Sequence, residues 1–248
     1  FSTYLLFFYV DVMGLPSTLA GSAMVVFTIW NMLNDPLFGY ISDRTKTKWG
    51  RRKPYILFGS IPLAITFILL WNPPNAFLAT TSKLFAYFLT IICLYDTFFS
   101  IVELNYTAVY PEMYPELKDR SAVTAYMQGL YMIGSLIGTA LPPLIYGGLG
   151  WKYMGVILGV AIFLFKMISL LGIKEEKVYS LEVQPSLWKS LSLTLKNKSF
   201  LAAVIANLLA IYAVNMITAI APFYTKYVLN FAEDKTSLFL AIMVLTSI

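Results

Sequence analysis

The sequence predicts an all-α protein whose helices cross a membrane several times, and three observations carry that prediction. Of its 248 residues, 58% are apolar and 12% are charged, with a mean hydropathy of +0.71. A soluble domain carries roughly a quarter charged residues, and so little charge cannot cover a water-facing surface. Asp, Glu, Lys and Arg are absent from 12–34, 54–82, 121–151 and 199–225. Each of these stretches exceeds the ~20 residues a helix needs to cross a hydrocarbon core of ~30 Å. Lipid offers no partner to backbone N–H and C=O groups, so the stretches are expected to be helices. A signal-peptide core is shorter than any of them.

Eight spans follow in order. The first is partial and ends near Asp11. The second covers about 16–41, the third 54–71, and the fourth about 83–109. The fifth, 122–146, carries Gly134-x-x-x-Gly138, a small-residue pattern that lets helices approach closely. Pro142-Pro143 is expected to bend or end it. The sixth covers 154–173, the seventh 199–228, and the eighth begins near Thr236. The chain starts at Phe1 and stops at Ile248 within apolar runs, so both ends are expected to be cut through helices of a longer protein. Most Tyr and Trp residues read as interfacial anchors.

Loop charge orients the spans. Loops after spans two, four and six hold Arg44, Lys46, Lys48, Arg51, Arg52, Lys53, Lys118, Arg120, Lys174, Lys177, Lys189, Lys196 and Lys198. The opposite loops hold Lys83, Lys152, Lys226 and Lys235. The first set is expected to be cytoplasmic. This pattern also accounts for the net charge of +5 without a nucleic-acid partner. The long polar stretch 174–198 reads as a cytoplasmic connector between a first bundle, 1–173, and the start of a second, 199–248. Its part 186–195 looks amphipathic, with Trp188 suited to an interface. Cys93 is alone, so no internal disulfide can form, and it reads as a small packing residue. Histidine is absent, which removes histidine catalysis, histidine zinc sites and histidine proton relays.

Ionisable groups at membrane depth are costly and are functional candidates by default. Asp35, Asp96, Glu103 and, near an interface, Asp11 qualify. Asn31 and Asp35 are four residues apart and share a helix face, with Asn34 beside both. Pro36 lacks an N–H and frees the Met32 carbonyl. The segment therefore offers a carboxylate, two amide oxygens and a carbonyl within about one turn, a donor set that suits a hard cation. The alternative is a hydrogen-bonded cluster beside a proline kink. Asp96 and Glu103 lie seven apart, nearly two turns, and point the same way, with Ser100 between them. They suit sugar hydroxyls, a cation or a proton; a structural hydrogen bond is the alternative for Asp96. Tyr106 could stack on a sugar ring or simply pack. After span two, Gly39 is expected to allow close approach of another helix. Asp43 can pair with Arg44, Arg51 or Arg52 in a contact made and broken between two bundle arrangements. The plainer reading is a positive loop that sets topology.

Gly39-x-x-x-Asp43-Arg44 with its basic cluster resembles the loop motif of the major facilitator superfamily. The longer string Trp30-Asn31-Met32-Leu33-Asn34-Asp35-Pro36-Leu37-Phe38-Gly39, with Asp43-Arg44-Thr45 and Trp49-Gly50-Arg51, resembles the glycoside–pentoside–hexuronide:cation symporters, the melibiose permease-like family. Asp11-Val12-Met13-Gly14-Leu15 and the end of span four add to it, so the resemblance covers 1 to about 120 and fits the span pattern beyond. It implies twelve helices in two six-helix bundles working by alternating access. It implies Asp35 as the main cation ligand with Asn34 beside it, Ser100 at the cation site, and Glu103 at the sugar site. The family pattern has a second aspartate where Asn31 stands, a stacking tryptophan at Thr107 and an arginine at Gln128. These departures imply a different substrate and leave the ion, sodium or proton, open. A further sugar-site aspartate of the family would lie upstream of Phe1.

The sequence thus predicts a cation-coupled symporter of a sugar or related polar solute, monomeric in the lipid bilayer, with no cofactor besides the coupling ion. A lysolipid carrier of the same superfamily is a second reading. An intramembrane enzyme or a receptor is a third; an enzyme would need a nucleophile, base or metal constellation, and none is visible.

Overall fold

The computed structural model describes residues 2–45, 47–173, 196–231, 235, 236 and 239, and among these every regular element is helical. Helix α1 covers Ser2–Phe7 and passes into a π-helical turn, Phe8–Val12. The others are α2 (Ser17–Arg44), α3 (Lys53–Leu70), the short α4 (Asn75–Leu78), α5 (Thr81–Met113), α6 (Leu117–Leu149), α7 (Trp151–Gly172) and α8 (Lys198–Tyr227). Helices α3, α5, α6, α7 and α8 are long and apolar enough to cross a membrane. Helix α2 has 28 residues but falls outside this set, because Asn31, Asn34 and Asp35 interrupt its apolar surface. The connector 174–195, most of the eighth span and Lys46 lie outside the described residues.

Local chemistry fixes several helix ends. The Thr80 hydroxyl accepts from the Lys83 N–H, and the Asn197 side chain accepts from the Phe200 N–H, so both cap orphan donors at helix starts. Helix α5 stops just before Pro115, whose ring disfavours helical geometry at Tyr114. Gly150 separates α6 from α7 with φ of +91°, a conformation that favours glycine. Pro142 and Pro143 do not end their helix, which continues to Leu149. The first span is not a uniform helix: the Met13 N–H reaches the Phe8 carbonyl five residues back at 2.9 Å, widening the turn that carries Asp11.

Helix α3 is central and packs on both α5 and α7; α5 also packs on α2, α6 on α7, and α1 on α8. The close approach falls at an unexpected glycine pair. A methyl on Gly155 would lie 2.6 Å from the Trp71 Cβ, and one on Gly159 would lie 2.5 Å from the Ile68 Cγ1. Gly155-x-x-x-Gly159 on α7 therefore lets α3 nest against it. Gly134, Gly138 and Gly39 have nothing within 4 Å of the corresponding position, so the approaches expected there do not occur among the described residues.

Trp71 and Trp151 stack with centroids 5.6 Å apart, and Tyr146 lies on Trp151 at 3.9 Å. Phe8 adds an edge to both tryptophans. Trp71 is buried, so it serves as core where the sequence suggested an interfacial anchor. The Tyr9 and Tyr87 hydroxyls donate to the Leu70 and Leu69 carbonyls at 2.9 and 2.6 Å. They tie the π-helical turn and α5 to the end of α3, where the helix leaves carbonyls without intrahelical donors.

Candidate functional site

Two faces meet between α2 and α5. Asn31, Asn34 and Asp35 come from one helix, Asp96 and Ser100 from the other. Asn31 Nδ2 donates to Asp96 Oδ1 at 2.9 Å, and Asn34 Nδ2 donates to Asp96 Oδ2 at 3.2 Å. The Ser100 hydroxyl donates to Asp35 Oδ1 at 2.5 Å. Trp30 Nε1 donates to the Thr97 hydroxyl at 3.0 Å and holds the same pair of helices in register. Asn34, Asp96 and Ser100 are buried and Asp35 is half-buried. Among the described residues neither carboxylate has a basic partner.

This arrangement regroups the sequence expectations. The spacing groups Asp96 with Glu103 as a candidate for the solute, yet Asp96 is engaged by the two asparagines expected at the cation site. The reason is helical rise: seven residues carry Glu103 about 10 Å along α5 from Asp96, enough to place the two carboxylates against different neighbours. Asn34 Oδ1 is buried and unpartnered among the described residues. Buried polar atoms are nearly always satisfied, so this oxygen is an exception on the face that holds Asp96.

Glu103 faces a residue that sequence reading missed. Lys166 of α7 donates to Glu103 Oε2 at 2.7 Å, and its ammonium lies 4.5 Å from the Tyr106 ring centroid. The available signal was a single lysine deep within the apolar run Trp151–Gly172. The Thr107 hydroxyl donates back to the Glu103 and Leu104 carbonyls at 2.9 and 3.2 Å. Its hydrogen is therefore committed to its own helix. Gln128 is exposed on α6 and has no hydrogen-bond partner among the described residues, so it does not join Glu103 in this structure.

At the basic end, Arg51 meets Glu112 at 2.6 Å, and Arg52 meets Glu112 at 2.9 Å and Asp43 at 3.0 Å. Arg51 and Arg52 are buried. Asp43 thus pairs as expected, whereas Arg44 lies 3.8 Å over the Tyr40 ring, outside the cluster. Glu112, on the last turn of α5, was not anticipated. Gly39, Ser42, Asp43, Arg52, Leu104 and Thr107 line a groove of about 290 Å³. Gly39 leaves that groove open instead of seating a helix. At the opposite end Asp11 accepts from Lys226 and from the Tyr227 hydroxyl, joining the π-turn to α8.

Comparison with known proteins matches the family described as MFS/sugar transport protein over residues 1–248. The chain is 27% identical to an isoprimeverose transporter of Lactiplantibacillus pentosus, covering 91% of this chain and 49% of the relative. It is 30% identical to a protein provisionally named a sulfoquinovose importer in Escherichia coli K12, covering 92% and 50%. A provisionally named glycoside/cation symporter of the same organism is 29% identical, covering 95% and 52%. The chain spans about half the length of these relatives.

Proposed function

The chain belongs to the MFS/sugar transport protein family, a family of multi-pass membrane transporters and not of enzymes, and on that premise we propose that it couples movement of a sugar or related polar solute to a cation by alternating access. The supporting observation is that Asn31 and Asn34 hold Asp96 while Ser100 holds Asp35, so two carboxylates stand at the α2–α5 interface near the middle of the 33-residue α5. Two carboxylates without a basic partner are unfavourable at membrane depth. A sodium ion or a proton relieves that cost, and Asn34 Oδ1 supplies a further oxygen. The solute binds one to two turns further along α5, at Glu103 and Tyr106. Coupling follows where the cation and the solute each favour the outward or the inward arrangement differently, and it is then reciprocal.

In this reading residues 1–173 form one bundle, 174–198 a cytoplasmic connector, and 199–248 the start of the second bundle. Loops carrying Arg51, Arg52 and Lys118 face the cytoplasm, as their positive charge favours. The Asp43–Arg52 pair gates the cytoplasmic end. The relatives' names include glycoside, isoprimeverose and sulfoquinovose, which supports a sugar-like solute.

The test is uptake of a sugar panel by the complete protein in proteoliposomes, with and without sodium or proton gradients. Gradient-driven accumulation that Asp35→Asn abolishes is the expected result. Full accumulation by that variant removes the coupling role of Asp35.

A further inference from the structure

Lys166 is the only charged side chain of α7 beyond its first turn, and its charge lies about six residues, or 9 Å, from the helix end. Its head crosses to α5, where Glu103 and Tyr106 occupy one face a turn apart. The Lys166 and Glu103 side chains remain 21% and 37% exposed. The described residues therefore leave the pair partly uncovered. That matters because a fully buried ion pair gains little over an apolar contact, whereas a half-open one can receive a ligand.

The unspent bonding capacity defines what fits. An ammonium has three N–H donors and a carboxylate two acceptor oxygens. One donor is used on Glu103 Oε2, and the charge rests against the Tyr106 ring. Glu103 Oε1 has no partner among the described residues. The pair as a whole carries no net charge.

We propose that Lys166 is a solute-binding residue, and that with Glu103 it forms a donor-and-acceptor clamp selecting a neutral polyhydroxylated solute over one carrying a carboxylate or sulfonate. Adjacent hydroxyls on a sugar ring can donate to Glu103 and accept from Lys166 together, leaving the ion pair intact. An anionic solute reaching the two remaining N–H donors sets a second negative charge beside Glu103 on one ammonium. The site then carries a net negative charge at membrane depth, an expensive state.

This rests on the sugar-transport reading above and deepens it. The experiment measures binding and uptake of neutral alkyl glycosides, and of matching glycosides bearing a carboxylate or sulfonate in place of the primary hydroxyl. It uses the complete protein and its Lys166→Gln, Glu103→Gln and doubly substituted forms. The double form keeps the site neutral, and its melting temperature checks that it folds. Expected are a preference for neutral glycosides in the unsubstituted protein and a KM raised about tenfold or more in the folded double form. A preference for the anionic glycosides, or an unchanged KM in the folded double form, overturns the proposal and leaves sugar transport standing. Failure of every glycoside to bind overturns the sugar-transport reading and the proposal with it.

Discussion

Asn31 of α2 donates to Asp96 of α5 at 2.9 Å, so a carboxylate on the fourth span stands opposite the position where the resembled family pattern carries one on the second. The acidic charge that Asn31 lacks is supplied across the helix interface. Asp35 and Asp96 thus bring two carboxylates to one helix interface from different helices, each held by its own hydrogen bonds.

Asp96→Asn, like Asp35→Asn, is therefore expected to abolish gradient-driven accumulation, while solute exchange across the membrane at equilibrium persists. A parallel measurement of accumulation and counterflow separates the two activities. If Asp96 instead served the solute directly, both would be lost together.

Ser100→Ala removes the donor to Asp35, which lies 2.5 Å away. A hydrogen bond to a charged group contributes about 1.5–3 kcal/mol, so the apparent cation affinity should change by about tenfold or more, while Thr97→Ala should change it far less. Titration of uptake against cation concentration reads both variants.

Gly155→Ala and Gly159→Ala push a methyl into Trp71 and Ile68 at 2.6 and 2.5 Å. Overpacking of this kind costs about 1–3 kcal/mol. Gly138→Ala on α6 meets nothing within 4 Å and should be neutral or slightly stabilising through helix propensity. Thermal unfolding in one detergent compares the three; equal melting temperatures would dismiss the α3–α7 contact as the cause.

Glu112→Gln withdraws a carboxylate shared by Arg51 and Arg52, all three groups being largely buried. A loss of about 3 kcal/mol is expected. Arg44→Gln should fall within about 0.5 kcal/mol, since Arg44 is exposed and outside the cluster. Chemical denaturation of both variants checks the ordering.

Releasing Asp11 from Lys226 should loosen α8 from α1. Phe7 and Phe223 lie 5.4 Å apart between ring centroids on those two helices. Cysteines at these positions should cross-link efficiently, and Asp11→Asn or Lys226→Gln should lower the yield severalfold. An undiminished yield would show that aromatic packing alone holds the two helices.

Much of this protein was legible in the sequence because the bilayer imposes a crude and strong rule. Long charge-free runs had to become helices, and seven described helical segments fall where spans were expected. Asn31, Asn34 and Asp35 were also legible as neighbours, since i, i+3 and i+4 spacing fixes a helix face before any tertiary contact forms, whereas Ser100, on another helix, was suggested only by the family resemblance. Asp43 pairing with an arginine followed from proximity in the chain. Lys166, Glu112 and Lys226 were not legible as partners, because nothing local sets how one helix is rotated and shifted against another.

The sequence by itself determined the order of the described helices and the residues each presents on a face. Those depend on hydropathy and on periodicity within a single helix. Only the tertiary structure decided that Asp96 joins the asparagines, that Glu103 meets Lys166, and that Gly155 and Gly159, instead of Gly134 and Gly138, seat a neighbouring helix. Each of these outcomes depends on packing between helices, where a shift of one turn, about 5.4 Å, exchanges every partner.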